Sequence, residues 1–166
     1  MTIALLRVDE RLIHGQVTVG WGTRLNPSHY VVVDEELAHS DWEAEILALG
    51  APPGTSVSFV TPNEGRQLLE VWHASPEVFV VLTRDLGQMV RLLEATPVAD
   101  LRVNLGGMHH RPGRREFLPY IYLDEEDLRH IQDLLLSGIE VSARDLPGSH
   151  GRDASGFLTL DHDPRA

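Results

Sequence analysis

The chemically active side chains of this sequence are concentrated in residues 7–17, which read RVDERLIHGQV. This segment combines arginines, carboxylates and one histidine, His14, directly after an apolar run at residues 3–6. An imidazole changes its charge near neutral pH, and guanidinium groups offer forked N–H donors that fit phosphate oxygens. These residue types together indicate a phosphate held close to His14.

A predicted helix supplies further phosphate ligands. It runs from residue 15 to about residue 25, so that His14 lies in the loop just before its first turn. The free backbone N–H groups and the dipole at a helix N-terminus favour an anion. Gly15 and Gln16, which begin this helix, are therefore candidate phosphate-binding residues. The sequence has no glycine-rich Walker loop with a Lys-Ser/Thr pair, which excludes a usual nucleotide phosphate site.

The elements that must position this segment are predicted by hydrophobic periodicity. Short apolar runs, typical of buried parallel strands, alternate with segments of helical period. The predicted strands are residues 3–8, 30–33, 57–60, 78–82, 101–105, 120–123 and 139–144. This alternation predicts an α/β fold with an open, mainly parallel central sheet and helices on both faces.

Capping patterns predict where several of the helices begin. Ser40 with Glu43 reads as a capping box, and Thr61 with Glu64 reads as a second one. Asp124 is predicted to cap a helix that runs to about residue 137. These helices would connect the strands of the predicted sheet.

Length and composition indicate one domain. The chain has 166 residues, 42% of them hydrophobic, which suffices for one core. We assign residues 1–146 to a single domain and residues 147–166, where glycines lie among scattered charges, to a poorly ordered C-terminal tail. No membrane span or secretory signal is evident, so we expect a cytoplasmic protein.

Composition also narrows the chemistry. The sequence contains no cysteine, which removes disulfides, thiolate catalysis and Cys-based metal sites. The formal net charge of −11 argues against binding to a nucleic acid backbone. Proteins or small molecules are the expected partners.

Two later segments follow predicted strands and could reach the same crevice, because ligands of open parallel sheets bind beyond the carboxyl ends of the strands. Residues 106–113, GGMHHRPG, follow the fifth strand, and their Arg111 is a candidate phosphate-binding residue. The glycines of this segment permit close approach of the backbone. Asp34 and Glu35 follow the second strand, either as site residues or as a solvated strand end.

We predict no metal site. His109 and His110 are adjacent and would point in different directions, and no suitably spaced third ligand is evident. The three tryptophans, Trp21, Trp42 and Trp72, lie in or beside predicted helices and are expected to pack there rather than to bind a sugar.

The segment RVDERLIHGQV resembles the active-site segment of the IIB component of the mannose/sorbose family of the bacterial phosphoenolpyruvate-dependent sugar phosphotransferase system. The resemblance continues through residues 31–38, 51–54 and 103–113 and covers roughly residues 3–144. It implies an α/β sheet that is mostly parallel with one antiparallel strand.

This resemblance implies a phosphocarrier activity. His14 would accept a phosphoryl group from a phosphorylated IIA protein and pass it to a sugar that enters through the IIC and IID membrane subunits. The chain would then be a protein-N(π)-phosphohistidine–sugar phosphotransferase that needs no cofactor and associates peripherally with the transporter. Asp9 and Arg11 carry over as catalytic residues beside His14, with Arg7 and Arg111 as phosphate ligands.

Two alternatives to sugar transport remain open at this point. The chain could be a regulatory phosphocarrier without transport activity, or a binding module without catalysis, although the intact Asp9, Arg11 and His14 argue against the latter. The pair His109-His110 departs from the family pattern, which has a small or apolar pair there. The identity of the sugar and the formation of a homo-oligomer are not determined by the sequence.

Overall fold

The computed structural model describes residues 3–160. Within these residues the chain forms nine strands, β1 (Ile3–Asp9), β2 (His29–Val33), β3 (Ser56–Val60), β4 (Phe79–Thr83), β5 (Arg102–Gly107), β6 (Arg115–Leu118), β7 (Ile121–Leu123), β8 (Glu140–Ala143) and β9 (Arg152–Asp153). The helices are α1 (Gly22–Leu25), α2 (Asp41–Ala48), α3 (Pro62–Ala74), α4 (Leu86–Leu93), α5 (Glu125–Leu136) and α6 (Ser155–Leu160). A π-helical segment, Gln16–Trp21, leads directly into α1, and a short 3-10 helix, Leu37–His39, precedes α2.

Seven strands form one sheet in the order β3-β2-β4-β1-β5-β8-β9. The pairs from β3 through β8 are all parallel, and β9 pairs with β8 in the antiparallel direction. The strands β6 and β7 form a separate antiparallel hairpin between β5 and α5. The predicted α/β fold with an open, mainly parallel central sheet is therefore confirmed.

Helices cover both faces of the sheet, as predicted. Successive strand residues alternate between the faces, so Val31 and Val33 pack under α3 to α6 while Tyr30 and Val32 belong to the opposite core. That second core includes Val17 of the π-helical segment. Because both faces are buried, the strands read in the sequence as continuous apolar runs.

The connections diverge beside β1, which creates a crevice there. The chain leaves β1 toward the π-helical segment on one face, whereas it leaves the neighbouring strand β4 toward α4 on the other face. A ligand site is expected where adjacent connections separate in this way. The residues that follow β1 therefore lie at the position where this fold binds ligands.

Residues 147–160 differ from the poorly ordered tail that the sequence predicts. Arg152 and Asp153 form β9 against β8, and Ala154 and Phe157 are buried in the main core beneath α5. Burial of the Phe157 ring holds residues 147–160 against the domain, although the glycines and charges of this segment suggest disorder. The remaining tail residues, 161–166, lie outside the described part of the chain.

The capping predictions have mixed outcomes. The box at Thr61 is present, and Asp124 caps α5 as predicted, in a capping box with Asp127 that the sequence analysis did not include. The box at Ser40 is wrong, because the Ser40 side chain makes no cap hydrogen bond. Its ψ of 86°, compared with 159° at Thr61, does not aim the hydroxyl group at the first turn of α2.

Candidate active site

A strained turn presents His14 at the carboxyl end of β1. Leu12 has a φ of 55°, a left-handed conformation that is rare for a residue with a bulky side chain. Its N–H closes the turn on the carbonyl of Asp9 at 2.9 Å. The side chains of Leu12 and Ile13 are buried below the turn, whereas the side chain of His14 keeps 18% of its surface exposed. The turn thus directs the imidazole toward the crevice.

Both nitrogens of the His14 ring are restrained. Nδ1 lies 2.9 Å from the carbonyl oxygen of Leu12. A carbonyl only accepts hydrogen bonds, so Nδ1 carries the proton in this contact. Nε2 is buried, has no hydrogen-bond partner within residues 3–160, and lies 3.6 Å from Oδ2 of Asp9. The Asp9 carboxylate therefore favours a proton on Nε2, and the Leu12 carbonyl favours one on Nδ1.

Asp9 is fixed between two arginines. Its carboxylate is fully buried and accepts hydrogen bonds from Nη2 of Arg7 at 2.9 Å and from Nε of Arg11 at 3.1 Å. The backbone N–H of Arg11 donates a further bond at 3.1 Å. Together, these charge-assisted hydrogen bonds from Arg7 and Arg11 hold the carboxylate in one orientation beside the His14 ring.

Arg7 lies beneath the site rather than in it. The guanidinium is fully buried, and its five N–H donors all have partners, namely Asp9 twice, Gln16, Asn104 and the carbonyl of Arg144. Burial lowers the pKa of Arg7, an effect that the neighbouring Asp9 opposes. This geometry does not support the predicted phosphate contact of Arg7, because no donor remains for a ligand.

Two glycines of β5 provide the space for this cluster. A Cβ atom added to Gly106 would lie 1.8 Å from Cζ of Arg7, and one added to Gly107 would lie 2.8 Å from Oδ1 of Asp9. The sequence indicates that these glycines allow a close approach of the backbone. In the structure, the groups that approach them are the buried arginine and carboxylate.

The remaining predicted site residues lie on the turn after β1 and on the loop after β5. Arg11 is exposed, donates from Nη2 to the Gln16 side chain at 2.8 Å, and leaves Nη1 without a partner within the described residues. Gly15 precedes the first helical residue, and the space beside its Cα is open. Arg111 extends from the opposite loop with most of its side chain exposed, 3.3 Å from Oε1 of Glu10.

An ion network that the sequence analysis missed joins the two loops. Glu10 accepts a bond from Nη1 of Arg114 at 2.6 Å and from the backbone N–H of His109 at 3.1 Å. Arg114 also contacts Asp127 of α5 at 3.1 Å. Burial works to raise the pKa of Glu10, but the bonds from Arg114 and His109 outweigh it and hold that pKa below its ordinary value. The network anchors the loop that carries Arg111.

Asp34 and Glu35 stabilise the structure near the crevice. Asp34 is buried and accepts the N–H of Leu37 at 2.9 Å, which caps the turn after β2. It also contacts Nε of Arg84, a residue that follows β4, at 3.1 Å. Glu35 pairs with Arg91 of α4. Glu35 therefore matches the alternative of a solvated strand end, whereas Asp34 does not, because it is buried. Arg84 is a cation at the crevice that sequence analysis missed.

The three tryptophans have different environments. Trp72 is buried, and Trp21 donates its indole N–H to the carbonyl of Asp145 at 2.9 Å. Trp42 is 66% exposed, so the expectation that it packs is wrong.

Within residues 3–160, no group of three His, Cys, Asp or Glu side chains is arranged to hold a metal ion. No helix in the same range is both long and apolar enough to cross a bilayer.

Comparison with known proteins shows the family of this chain. The family model "PTS system sorbose subfamily IIB component" matches residues 3–164. The N-acetylgalactosamine-specific phosphotransferase enzyme IIB component 1 of Escherichia coli K12 is 30% identical over 147 residues, which are 88% of this chain and 92% of that protein. The sorbose-specific EIIB component of Klebsiella pneumoniae is 29% identical over 149 residues, 87% of each chain.

A solved structure supports the fold. The crystal structure of the IIBSor domain of the sorbose permease from Klebsiella pneumoniae matches with a TM-score of 0.84 and 23% identity, over 100% of both chains. The family match covers nearly the whole chain, and the relatives agree with it. The chain therefore belongs to the sorbose subfamily of IIB components of the phosphotransferase system, enzymes that transfer phosphoryl groups to sugars.

Proposed function

We propose that His14 is the residue that carries the phosphoryl group. A phosphorylated IIA protein would donate the group, whose bond to the donor breaks as a new P–N bond forms at His14. In the second step the P–N bond at His14 breaks, and the phosphoryl group bonds to a sugar hydroxyl, which loses its proton. One observation carries this proposal. The His14 imidazole lies at the crevice, and its Nε2 atom faces Asp9, which is itself paired with both Arg7 and Arg11.

The attacking atom is Nδ1, the N(π) nitrogen. In the structure Nδ1 donates its proton to the Leu12 carbonyl, so the ring has to turn away from this contact and Nδ1 has to lose that proton before it can attack. The proton then resides on Nε2, where Asp9 stabilises it. Asp9 thus acts on the tautomer and orientation of the ring, as an acidic partner does for other nucleophilic histidines.

The charge of the moving phosphoryl group is balanced by side chains on both loops. Arg11 offers its unpartnered Nη1, and Arg111 approaches from the opposite side. The N–H groups of Gly15 and Gln16 at the first helical turn add partial positive charge. Catalysis then consists of positioning and electrostatic stabilisation, which suffices for phosphoryl transfer and requires no cofactor.

Arg7 acts through Asp9. It is buried, bonds the carboxylate twice and also holds the Gln16 side chain, which in turn contacts Arg11. Removal of Arg7 would take away two of the hydrogen bonds that hold Asp9 and one of the two that hold the Gln16 side chain beside Arg11. We therefore assign Arg7 a positioning role beneath the phosphate.

The sugar is presented by the IIC and IID membrane subunits, and the chain works at the cytoplasmic side of that transporter. This assignment rests on the family membership and on the sugar-specific names of its relatives. The relatives act on different sugars by name, so the sugar of this chain is left to experiment.

Phosphorylation by the purified system tests the proposal. The chain is incubated with radiolabelled phosphoenolpyruvate, the general phosphotransferase proteins and a cognate IIA protein. We expect one phosphate per chain that is labile in acid and stable in base. A His14→Ala variant should take up none.

The matched control is His39→Ala, because the Nδ1 atom of His39 also bonds a backbone carbonyl, at 2.8 Å, but lies outside the site. This variant should take up phosphate as the wild type does. Two results would contradict the assignment. One is phosphate uptake by the His14→Ala protein, and the other is a loss of phosphate uptake in the His39→Ala protein alone.

A further inference from the structure

Two guanidinium groups share a single carboxylate beneath His14. Arg7 and Arg11 both bond the buried Asp9, and neither forms an ion pair with another acidic side chain within residues 3–160. The remaining side-chain contacts of the two arginines are with neutral groups, namely Gln16, Asn104, the carbonyl of Arg144 and the ring of Trp21. These residues are called the two-arginine cluster below, and their formal charges leave an excess of one positive charge.

Other arginines at the crevice are neutralised by their surroundings. Arg114 contacts three carboxylates, those of Glu10, Asp124 and Asp127, and Arg84 contacts two. The whole chain has a net charge of −11, so acidic side chains are abundant. The excess positive charge of the two-arginine cluster therefore stands against the charge of the rest of the chain, at the place where an anionic group is expected.

The side chain of Gln16 joins the two arginines. Its Oε1 atom accepts hydrogen bonds from Nη2 of Arg7 at 3.1 Å and from Nη2 of Arg11 at 2.8 Å. An amide oxygen has two lone pairs and can serve both donors, and guanidinium groups only donate, so the oxygen and not the nitrogen of the amide faces them. The amide thus bridges two cations without adding charge.

The bridge is needed because the two cations repel each other. Burial and, to a smaller extent, the charge of Arg11 lower the pKa of Arg7. Asp145 opposes this lowering by its charge, but less than Asp9 does, and it bonds none of the five donors of Arg7. The bridging oxygen of Gln16 offsets part of the repulsion, since it places a partial negative charge between the guanidinium groups.

The backbone holds Gln16 beside the site. The N–H groups of Val17 and Thr18 both donate to the carbonyl of His14 at 2.9 Å, which begins the π-helical segment at Gln16. The side chain that bridges the arginines therefore belongs to the same rigid turn as the imidazole.

We propose that Gln16 is a positioning residue whose neutrality preserves the positive charge that the phosphoryl group meets at His14. It holds Arg11 beside Arg7 and adds no negative charge of its own. A carboxylate at this position would make the same two bonds more strongly but would cancel the excess charge of the two-arginine cluster. The proposal rests on the proposed function of His14, because the phosphoryl group supplies the negative charge that the cluster stabilises.

The variant Gln16→Glu separates the bridge from its neutrality. It keeps acceptor oxygens for both arginines and adds one negative charge, so its melting temperature should be at least that of the wild type. The variant Gln16→Met removes the acceptor and adds no charge. It leaves a donor of the buried Arg7 without its partner, so its melting temperature should fall.

The readout is the partition of phosphate between two proteins. Each variant is equilibrated with a phosphorylated IIA protein, and the fraction of phosphate on either protein gives the equilibrium constant for phosphorylation of His14. We expect this constant to fall about ten-fold in Gln16→Glu, and to fall less in Gln16→Met. The matched control is Gln132→Glu, which adds the same charge at an exposed position of α5 and should behave as the wild type.

Three outcomes would overturn the proposal. A Gln16→Glu protein with the equilibrium constant of the wild type would show that neutrality is not required. An equal or larger fall in Gln16→Met would assign the effect to the lost bridge and not to charge. A Gln16→Glu protein that melts below Gln16→Met would show that the arginines do not accept a carboxylate there. A wild type that takes up no phosphate on His14 refutes the proposed function instead, whereas the melting temperatures still test the bridge.

Discussion

A single methyl group at position 106 is expected to disrupt the buried ion cluster beneath His14. The added Cβ of a Gly106→Ala variant would lie 1.8 Å from Cζ and 2.1 Å from Nη2 of Arg7, so the guanidinium has to move. Arg7 has no exposed surface to move into, and all five of its donors are engaged. Its displacement would leave the buried Asp9 with fewer donors.

The expected loss of stability in Gly106→Ala follows from the displacement of Arg7. Loss of one partner of a buried ion pair costs about 3–5 kcal/mol of the free energy of unfolding. Added volume in a packed interior costs about 1–3 kcal/mol, but the two values describe the same movement and are not summed. In a chain of this length 1 kcal/mol corresponds to about 2–4 °C, so we expect the melting temperature to fall by about 6–20 °C.

The assay is urea unfolding followed by tryptophan fluorescence. Gly148→Ala is the control, because its added Cβ would meet no atom within 4 Å. In an Arg7→Met background, Gly106→Ala should cost much less, since both changes remove the same contact. Gly106→Ala and Gly148→Ala proteins whose unfolding free energies agree within about 0.5 kcal/mol would refute the packing argument.

Three further predictions concern charge, pH and capping. Arg11→Ala should slow phosphorylation about 100-fold in a protein that still folds, whereas the exposed Arg24→Ala should not slow it; equal rates would remove Arg11 from catalysis. Glu10 has a lowered pKa, so its contribution to stability is complete above the unfolded-state pKa of about 4.3 and is lost as the pH falls through the folded-state value. Urea unfolding of wild type and Glu10→Gln should therefore differ at pH 7 and converge as the pH falls through the folded-state pKa, and a difference that stays constant with pH would contradict this role. Thr61→Ala should cost about 1 kcal/mol and Ser40→Ala less, because only Thr61 makes its cap bond; thermal unfolding that gives equal costs would contradict this account.

The central sheet could be predicted because its strands are buried on both faces. Tyr30 to Val33 and Val80 to Leu82 are apolar at every position, a pattern that parallel strands covered by helices produce. The strand β6 was missed because its sequence, REFL, has charged residues and packs as part of a small hairpin rather than in the sheet. Its pairing depends on contacts that periodicity does not record.

The turn at His14 could also be predicted, since the segment that follows an apolar strand combines a histidine with arginines and a helix start. The burial of Arg7 could not, because an arginine after four apolar residues is indistinguishable from an exposed strand end until its partners are known. Those partners include Asn104, which is 97 residues away in the sequence. The exposure of Trp42 on α2 was missed for a related reason, because apolar residues of surface helices normally face a core.

The two-residue strand β9 has a consequence for the behaviour of the protein at high concentration. It pairs with Ser142 and Ala143 on the free side of β8, and α6 follows at once. A foreign strand that approached this end of the sheet would find too few unpaired backbone groups to add to it. The short C-terminal element thus protects this edge of the sheet from pairing with another chain, and shortening the chain before residue 152 would remove that protection.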